Sequence, residues 1–296
     1  MKRNIFCSFA AILGVFSMLF TTGIASAESE YKYKKTREIV ALVRDAAALI
    51  EKEGVSVFPE FREKGGRWFY ADTYIFIWEM NGLRAVYPPN PKGEGKNMSN
   101  LKDINGKPIG RMFITMVSGE KGEAWCHYQW SKPNDTVPSW KSTYLKRVKG
   151  PSGKEYVIGC GMYDAKMEKK FVVALVEDAV ALIISKGEDA FDKLRDKSSE
   201  FIFKDVYVFV TCEDGTELVN PIFPNLEGRN ILDLKDAEGK YATRDMFKLL
   251  KNKDAIWKEG TWPKPGEEKP SKKLAYIRKI ILDGKVLAVG AGFCPD

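Results

Sequence analysis

The chain has 296 residues, of which 47 are lysine or arginine and 40 are aspartate or glutamate, so its net charge at pH 7 is +7. This mild basic excess is spread along the chain, whereas a nucleic-acid-binding surface needs clustered lysines and arginines. The chain has one histidine, and no group of cysteines, histidines or carboxylates has the spacing of metal ligands. The composition therefore argues against a nucleic-acid partner and against a metal site.

The N-terminus, residues 1–27, has the pattern of a secretory signal peptide. Lys2 and Arg3 precede a long apolar run, and Ala25-Ser-Ala27 offers the small residues that a signal peptidase requires. The mature chain would begin at Glu28 in the periplasm or outside the cell, with a net charge of +5 once the two basic residues are lost. An uncleaved N-terminal membrane anchor is the alternative, because the apolar run approaches the roughly 20 residues that span a bilayer.

After the signal peptide, the residue patterns predict helices first and strands later. Ile39, Val43, Ala46 and Ile50 recur at helical spacing, and Asn81-Gly82 is a strong hairpin turn between two strands. The predicted elements are helices 35–53 and 58–64, strands 73–78 and 83–87, a Pro-rich loop with a short helix 108–118, and strands 124–130, 140–148 and 155–163.

The chain contains an internal repeat with an offset of 133 positions. Val40-Ala-Leu-Val-Arg-Asp-Ala-Ala-Ala-Leu-Ile50 returns as Val173-Ala-Leu-Val-Glu-Asp-Ala-Val-Ala-Leu-Ile183. A period of this length indicates a duplicated domain, since solenoid repeats run to about 20–50 residues. Further matched pairs, some after short deletions, are Arg62 and Arg195, Tyr74 and Tyr207, Gly82 and Gly215, Arg111 and Arg244, Trp130 and Trp262, Lys141 and Lys273, and Tyr144 and Tyr276.

The repeat predicts two domains after the signal peptide, a first unit of residues 28–166 and a second unit of residues 167–296. The predicted elements of the second unit are helices 171–186 and 189–196, strands 206–211 and 217–219, helix 243–250, and strands 255–261, 273–281 and 286–293. Each unit is expected to form a five-stranded antiparallel sheet, with the long N-terminal helix on one face and the helical loop on the other. The fold class is therefore α+β, and the connection between the units is too short to be a flexible linker.

Four cysteines remain after the signal peptide, and none is matched in the other unit. They are Cys126, Cys160, Cys212 and Cys294. An even number in an exported chain would permit disulfides. Because each lies in or beside a predicted strand, and because small apolar burial is a common fate of cysteine, we predict free buried thiols.

Several short motifs, in the same order in both units, resemble a known family. They are clearest in residues 209–221, Phe-Val-Thr-Cys-Glu-Asp-Gly-Thr-Glu-Leu-Val-Asn-Pro, and continue in 224–230, 233–236, 262–266 and 273–276. Over nearly the whole mature chain the sequence resembles the extracytoplasmic Cache domain, here as two single Cache units in tandem. Cache domains are the PAS-like sensor modules of bacterial chemoreceptors and sensor kinases. The resemblance implies a small-ligand pocket on the loop-side face of a sheet, often for short carboxylates, amines or related metabolites, and a membrane-bound receptor or kinase as partner.

Two features depart from the family pattern. The family usually continues from its last strand into a membrane helix, whereas this sequence ends at Asp296, directly after the last predicted strand. The family also tends to have His-Pro after the second strand, where the units have Tyr87-Pro88 and Asn220-Pro221. The second departure puts a transferred ligand contact in doubt.

The candidate ligand contacts are mostly residues that recur in the two units. Lys141 and Lys273 are the sharpest, because lysine in a half-buried strand usually meets an anion or extends to solvent. Lysine and tyrosine three positions apart face opposite sides of a regular strand, so only one of each pair is expected to reach the pocket. The full set of candidates is Arg111, His127, Tyr128, Trp130, Lys141, Tyr144, Arg244, Trp262, Lys273 and Tyr276.

Each of the other candidates has a structural alternative. Arg111 and Arg244 could clamp a carboxylate or form surface ion pairs. The paired tryptophans could anchor the core. His127 could form hydrogen bonds in the pocket or in the core.

The sequence favours binding over catalysis. It has no serine nucleophile elbow, no phosphate-binding loop and no Cys-x-x-Cys, and one histidine completes no convincing triad, so we predict no enzyme and no cofactor. The first hypothesis is an exported small-molecule-binding sensor protein, its ligand a small organic acid or related metabolite, presented to a membrane signalling partner. The alternative is a non-catalytic envelope interaction protein with vestigial pockets. Aligning residues 125–128 with 258–261 shows strong divergence, so the two units should differ in ligand binding.

Overall fold

The computed structural model describes residues 30–132 and 135–295. The predicted signal peptide lies outside these residues. The first unit begins with helix α1, which runs from Lys34 to Glu53 and ends at Gly54, where φ is 67° and the backbone favours glycine. The further elements are β1 (Phe69–Tyr70), β2 (Thr73–Tyr74), β3 (Phe76–Glu79), β4 (Arg84–Val86), α2 (Ile109–Ser118), β5 (Glu123–Ser131), β6 (Pro138–Lys149) and β7 (Glu155–Tyr163).

The second unit repeats this order. Its long helix α3 runs from Lys169 to Lys186 and ends at Gly187, where φ is 64°. The further elements are α4 (Ala190–Arg195), β8 (Ile202–Phe203), β9 (Val206–Cys212), β10 (Glu217–Val219), α5 (Ala242–Leu250), β11 (Ala255–Pro263), β12 (Pro270–Leu282) and β13 (Lys285–Phe293).

Each unit contains one main antiparallel sheet with the same strand order, and the first unit also has a small two-stranded sheet of β1 and β2. The first sheet has the order β4-β3-β7-β6-β5, and the second has the order β10-β9-β13-β12-β11. The second sheet also gains the short strand β8, which pairs with the start of β9. The predicted five-stranded sheets are therefore confirmed, with one short strand that the sequence patterns did not reveal.

The second predicted helix of the first unit is not an α-helix. Within the predicted helix 58–64 only Glu60–Arg62 is helical, as a 3₁₀ turn after Pro59; a separate 3₁₀ turn, Gly54–Val57, precedes it. Proline lacks the N–H that a helix interior requires, so an α-helix does not continue through this position. The matching segment of the second unit has no proline and forms the short helix α4.

The two faces of each sheet contact different layers. On β13, Leu287, Val289 and Ala291 belong to the core beneath α3, whereas Ala288 belongs to a separate core that includes Met246 of α5. This alternation follows from the period of two in a β-strand. The predicted α+β arrangement, a long helix on one face and the helical loop on the other, is confirmed.

A repeated ion pair attaches the loop after the second strand to each unit. Arg62 donates to the carboxylate of Glu94 at 2.8 Å and to the carbonyl of Ala85 at 3.0 Å. In the second unit, Arg195 donates to the carboxylate of Glu227 at 2.9 Å and to the carbonyl of Leu218 at 2.8 Å. The matched arginines of the repeat therefore have a structural role in both units.

The four cysteines are free thiols, as predicted, although Cys294 is only partly buried. Burial raises the pKa of both Cys126 and Cys160 to about 12, so these thiols stay protonated at neutral pH. They act as small apolar side chains in the strands.

Candidate ligand site in the second unit

A cavity of about 130 Å³ lies on the loop-side face of the second sheet, between the strands, α5 and the Pro-rich loop. Its wall is mainly apolar, with a small number of polar and charged side chains. The lining residues are Tyr207, Phe209, Thr211, Glu217, Asn220, Phe223, Leu226, Ile231, Leu234, Ala242, Thr243, Met246, Lys258, Glu259, Gly260, Trp262, Lys273, Ala275 and Ile277.

Strand pairing corrects the alignment of the two units along this wall. Trp125 lies opposite Tyr144 in the first sheet, and Trp257 lies opposite Tyr276 in the second. Both tryptophans contact their tyrosines at the same ring distance, 5.3 Å. The deletion between the units therefore precedes β11, and the counterpart of Tyr128 is Gly260.

The corrected alignment explains why the space equivalent to this cavity is much smaller in the first unit. In the first unit, Trp78, Phe113 and Tyr128 project into the equivalent space, with the Phe113 ring 5.1 Å from Trp78 and 5.5 Å from Tyr128. The second unit has Thr211, Met246 and Gly260 at these positions. The space that remains at this position in the first unit is about 30 Å³. Large aromatic side chains fill this space in the first unit, and their smaller counterparts leave it open in the second. A separate hollow of about 450 Å³ lies beside the filled space of the first unit, along the loop after the second strand, and it is lined by residues that include Tyr87, Asn90 and Trp130.

The side-chain ammonium of Lys273 is the buried cation of the cavity. The side chain is on β12, with the residue 9% exposed, and the ammonium lies 4.0 Å from the centre of the Tyr207 ring. The ammonium donates one long hydrogen bond, 3.5 Å, to the carbonyl of Asp205. Burial lowers the pKa of Lys273 to about 8, and the nearby Asp205 carboxylate opposes that shift only partly.

The equivalent lysine of the first unit is fully enclosed by protein. Lys141 donates to the hydroxyl of Tyr74 at 2.8 Å and to the hydroxyl of Tyr163 at 3.4 Å. In the second sheet, the position of Tyr163 is taken by Cys294, which has no phenol to offer. Lys273 therefore lacks one of the partners that satisfy Lys141.

Glu217 supplies a buried carboxylate to the same cavity. It is 2% exposed and accepts hydrogen bonds from the hydroxyl of Thr211 at 2.6 Å and the side-chain amide of Asn220 at 2.7 Å. Burial raises the pKa of Glu217 to about 7, although both hydrogen bonds oppose the shift. The counterpart of Glu217 in the first unit is Arg84, a residue of opposite charge.

Five of the ten predicted residues lie at or beside the two loop-side pockets. Trp262 and Lys273 line the cavity of the second unit. Tyr128 and Trp130 line the small residual space of the first unit, and Lys141 is bonded to Tyr74 in the same wall. Their roles as ligand contacts stay predictions.

Tyr144 and Tyr276 lie on the other face of their sheets and are removed from the proposed contacts. Tyr276 donates to the carboxylate of Glu177 on α3 at 2.9 Å, and Tyr144 is buried in the core beneath α1. The reason is the alternation expected for a lysine and a tyrosine three positions apart. Only the lysine of each pair points to the loop side.

His127 also lies outside both pockets, at the junction of the two units. Its ring stacks on Phe203 of β8 at 3.9 Å, and its Nδ1 is 2.8 Å from the hydroxyl of Ser142. Burial, with the nearby charges of Lys107 and Lys204, holds the pKa of His127 well below its usual range. The histidine is therefore a neutral packing residue between the units.

The two predicted arginines are exposed on the outer sides of their helices. Arg244 pairs with Asp233, and its guanidinium lies 4.8 Å from the centre of the Tyr241 ring. Arg111 is exposed on α2. Neither lines a cavity described above, because the opposite, apolar side of each helix faces the sheet.

The predicted set lacks several polar residues of the cavity, among them Tyr207, Glu217 and Asn220. A signal for two of them was present in the repeat. Tyr207 has a tyrosine at the matching position, Tyr74, while Glu217 replaces Arg84 at a strand position whose neighbours are well matched. A charge reversal between duplicated strands indicates a difference in function.

Comparison with known proteins matches each unit to a Cache-domain family. Residues 34–175 match the family described as single Cache domain 2, and residues 188–291 match a family described as Cache domain. Both halves of the chain are Cache domains. Among curated proteins, the Cache chain is similar to the methyl-accepting chemotaxis protein McpP of Pseudomonas putida, with 23% identity over 189 residues. That match covers 59% of this chain and 34% of McpP, so the chain spans about a third of the relative's length.

Several solved structures also resemble this Cache chain. A methyl-accepting chemotaxis protein from Vibrio parahaemolyticus is 25% identical, with a TM-score of 0.37, over 43% of this chain and 87% of that one. A Cache chemosensory domain described as recognising carboxylic acids is 22% identical, with a TM-score of 0.33, over 48% of this chain and 88% of that one. The ligand-binding domain of the Pseudomonas aeruginosa amino acid chemoreceptor PctB, bound to L-Arg, is 11% identical, with a TM-score of 0.32, over 92% and 83% of the two chains.

The described residues contain neither a candidate membrane span nor a candidate metal site. No helix in 30–132 or 135–295 is long and apolar enough to cross a membrane. Within the same ranges, no group of three or more histidine, cysteine or acidic residues could hold a metal ion.

Proposed function

We propose that the second Cache domain binds a small organic carboxylate, with Lys273 as the contact for the carboxylate group. The observation that carries the proposal is a buried ammonium that faces an open cavity with a single long hydrogen bond, 3.5 Å, to the described part of the chain. An ammonium has three donors, and burying it without partners costs free energy. A ligand carboxylate would offset that cost through charge-assisted hydrogen bonds.

The rest of the cavity suits the carbon chain of such a ligand. Phe209, Met246 and Ile277 form an apolar wall, and Trp262 adds a large aromatic surface. An apolar protein cavity of about 150 Å³ holds one benzene molecule. The cavity here, about 130 Å³, is similar in size, so it suits a short carboxylate with a chain of a few carbons.

The proposed biological role is sensing outside the cytoplasm. The Cache assignment and the similarity to a chemotaxis receptor support a protein that binds its ligand in the periplasm or outside the cell and presents it to a membrane-bound receptor or kinase. The proposal contains no catalytic step. The first domain fits the alternative of a vestigial pocket, because Trp78, Phe113 and Tyr128 occupy most of the space that a ligand would need.

Thermal shift measurements with carboxylic acids of two to six carbons test the proposal. We expect the melting temperature to rise with ligand concentration, by an amount equivalent to about 2.7 kcal/mol at a concentration 100 times Kd. In Lys273→Met the shift should disappear. Lys141→Met, the same change in the closed pocket, is the matched control and should keep the ligand-induced shift. If no acid stabilises the wild-type chain, or if Lys273→Met binds equally well, the proposal fails.

A further inference from the structure

We infer that the cavity of the second unit selects a linear ω-amino carboxylate, with the carboxylate at Lys273 and the ligand ammonium at Glu217. This inference rests on the proposed function and gives its ligand class. It depends on the positions of the two buried charges within one cavity, which the sequence alone does not reveal.

The two charges occupy opposite sides of the cavity. In the sheet order β10-β9-β13-β12-β11, Glu217 lies on β10 and Lys273 lies on β12, three strand spacings apart. Neighbouring strands are about 4.8 Å apart, so the two backbones are separated by roughly 14 Å across the sheet. The side chains reach inwards from both sides, and the space between them is the cavity.

The same order appears along strand β9. Tyr207, Phe209 and Thr211 alternate on the loop-side face, and all three line the cavity. The Lys273 ammonium lies over the Tyr207 ring, and the Glu217 carboxylate is bonded to Thr211. An apolar phenylalanine therefore lies between a cationic end and an anionic end. This sequence of surfaces matches a molecule with a carboxylate, a methylene chain and an ammonium.

Glu217 has unused capacity to accept hydrogen bonds. Its carboxylate receives one bond from Thr211 and one from Asn220, both neutral groups, whereas a carboxylate can accept about four. Within the described residues it forms no ion pair, so its charge is compensated only by dipoles. A ligand ammonium would supply the missing cation. The Cache fold itself does not need this carboxylate, because the first unit has Arg84 at the equivalent position.

Two further charged residues line the cavity, Lys258 and Glu259; Glu259 is exposed, and Lys258 strengthens the same polarity. Lys258 lies on β11, beyond Lys273 in the sheet order, and its ammonium donates a 3.4 Å bond to the carbonyl of Glu259. It is only half buried and lies at the rim. Both cations are therefore on the side of β11 and β12, and the buried carboxylate is on the side of β10.

Isothermal titration of the purified chain with matched ligands tests the inference without any mutation. The ligand pairs are 4-aminobutanoate with butanoate and 5-aminopentanoate with pentanoate, and 2-aminopentanoate tests the position of the amine. We expect each ω-amino acid to bind at least tenfold more tightly than its parent acid and its 2-amino isomer. In Glu217→Gln, which keeps the shape of the side chain, this preference should fall to about twofold or less while the parent acid still binds.

The outcomes separate this inference from the proposed function. If butanoate or pentanoate binds and the ω-amino acid binds no more tightly, the inference is overturned and the carboxylate site stands. If the 2-amino isomer binds as tightly as the ω isomer, the linear placement is overturned. If none of these compounds binds, both proposals fail. Should Glu217→Gln not fold, the comparison of ligands on the wild-type chain still decides.

Discussion

At the scale of single residues, the cavity contains two ionisable groups whose burial lowers the stability of the folded chain. Burial lowers the pKa of Lys273 to about 8 and raises the pKa of Glu217 to about 7. Both shifts mean that the charged form is less favourable in the folded chain than in the unfolded chain. Residues of this kind are expected at functional sites, where stability is lower than the fold could provide.

Replacing Lys273 with methionine should stabilise the protein at pH 7. The pKa is about 8 in the folded chain against 10.5 for a free lysine, so the charged lysine costs up to about 3 kcal/mol below pH 8. The cost disappears as the pH rises from 8 to 10.5, because the folded chain loses its proton first. Urea unfolding at pH 7 and at pH 10 measures the difference from wild type. A Lys273→Met chain that is less stable than wild type at pH 7 would contradict this account.

Replacing Glu217 with glutamine should have an effect that grows with pH. Because the pKa is raised to about 7 from 4.5, wild type has its full stability below pH 4.5 and loses up to about 3 kcal/mol as the pH rises through 7. The glutamine variant does not titrate, so its unfolding free energy relative to wild type should increase between pH 5 and pH 8. Denaturant unfolding at these two pH values gives the comparison. A constant difference would mean that Glu217 is ionised throughout the range.

At the scale of secondary-structure elements, the repeated arginine ion pairs position the loops after the second strands. Glu227 holds Arg195 and also accepts the backbone N–H of Asn220 at 2.6 Å. The loop that follows contributes Phe223 and Leu226 to the cavity wall. In the first unit the space equivalent to this cavity is largely filled by aromatic side chains, so we expect the same ion pair to contribute to stability and not to binding in the second unit.

Arg195→Met should therefore weaken ligand binding, and Arg62→Met should not. Each change removes an ion pair and a bond to a carbonyl, which together stabilise the chain by about 2–3 kcal/mol. We expect a similar loss of stability in both variants, with about tenfold weaker binding only in Arg195→Met. Titration of the best carboxylate into both variants measures the contrast. Equal affinities would show that the loop does not depend on the ion pair for its position.

At the scale of the whole molecule, buried polar groups cross the junction of the two units. Lys107 of the first unit donates to the carbonyl of Ile202 at 2.8 Å and to the carbonyl of His127 at 3.2 Å. In the other direction, the carboxylate of Glu168 accepts the backbone N–H groups of Lys32 and Tyr33 at 2.8 and 2.9 Å. A core of apolar residues from both units is continuous with these contacts. The boundary at residue 166 stays a prediction.

Lys107→Met should separate the unfolding of the two units. The change leaves two carbonyl groups without the donor that Lys107 supplies, at a cost of about 1–3 kcal/mol each. Because these carbonyl groups lie where the two units meet, the change should weaken the contact between the units. We expect one cooperative transition for wild type and two, or one much broader, for the variant in differential scanning calorimetry. Lys240→Met is the control, because Lys240 is the matched residue of the second unit and is exposed beside Glu238. A single sharp transition in Lys107→Met would contradict a coupling role.

The features that the sequence predicted correctly depend on local patterns. The long helices ended by Gly54 and Gly187, the Asn81-Gly82 turn and the duplication itself are visible in the spacing of apolar residues and glycines over short stretches. Lys273 was singled out for the same reason, since a lysine inside a strand pattern is conspicuous; it lines the cavity, and its role as a ligand contact stays a prediction. These features need no knowledge of what packs against them.

Only the tertiary structure decided where the open cavity lies and which charges face it. The volume of a pocket is the space that several elements enclose minus the volume of the side chains that enter it. The small residues Gly260 and Thr211 open a cavity only because Met246, on another element, lines the same space. The location of His127 depended in the same way on β8, a two-residue strand of the other unit. Duplication determined that there would be two similar sheets, and the packing of large or small side chains on their loop faces determined that the space between β10 and β12 is open in the second unit and largely filled at the equivalent position of the first.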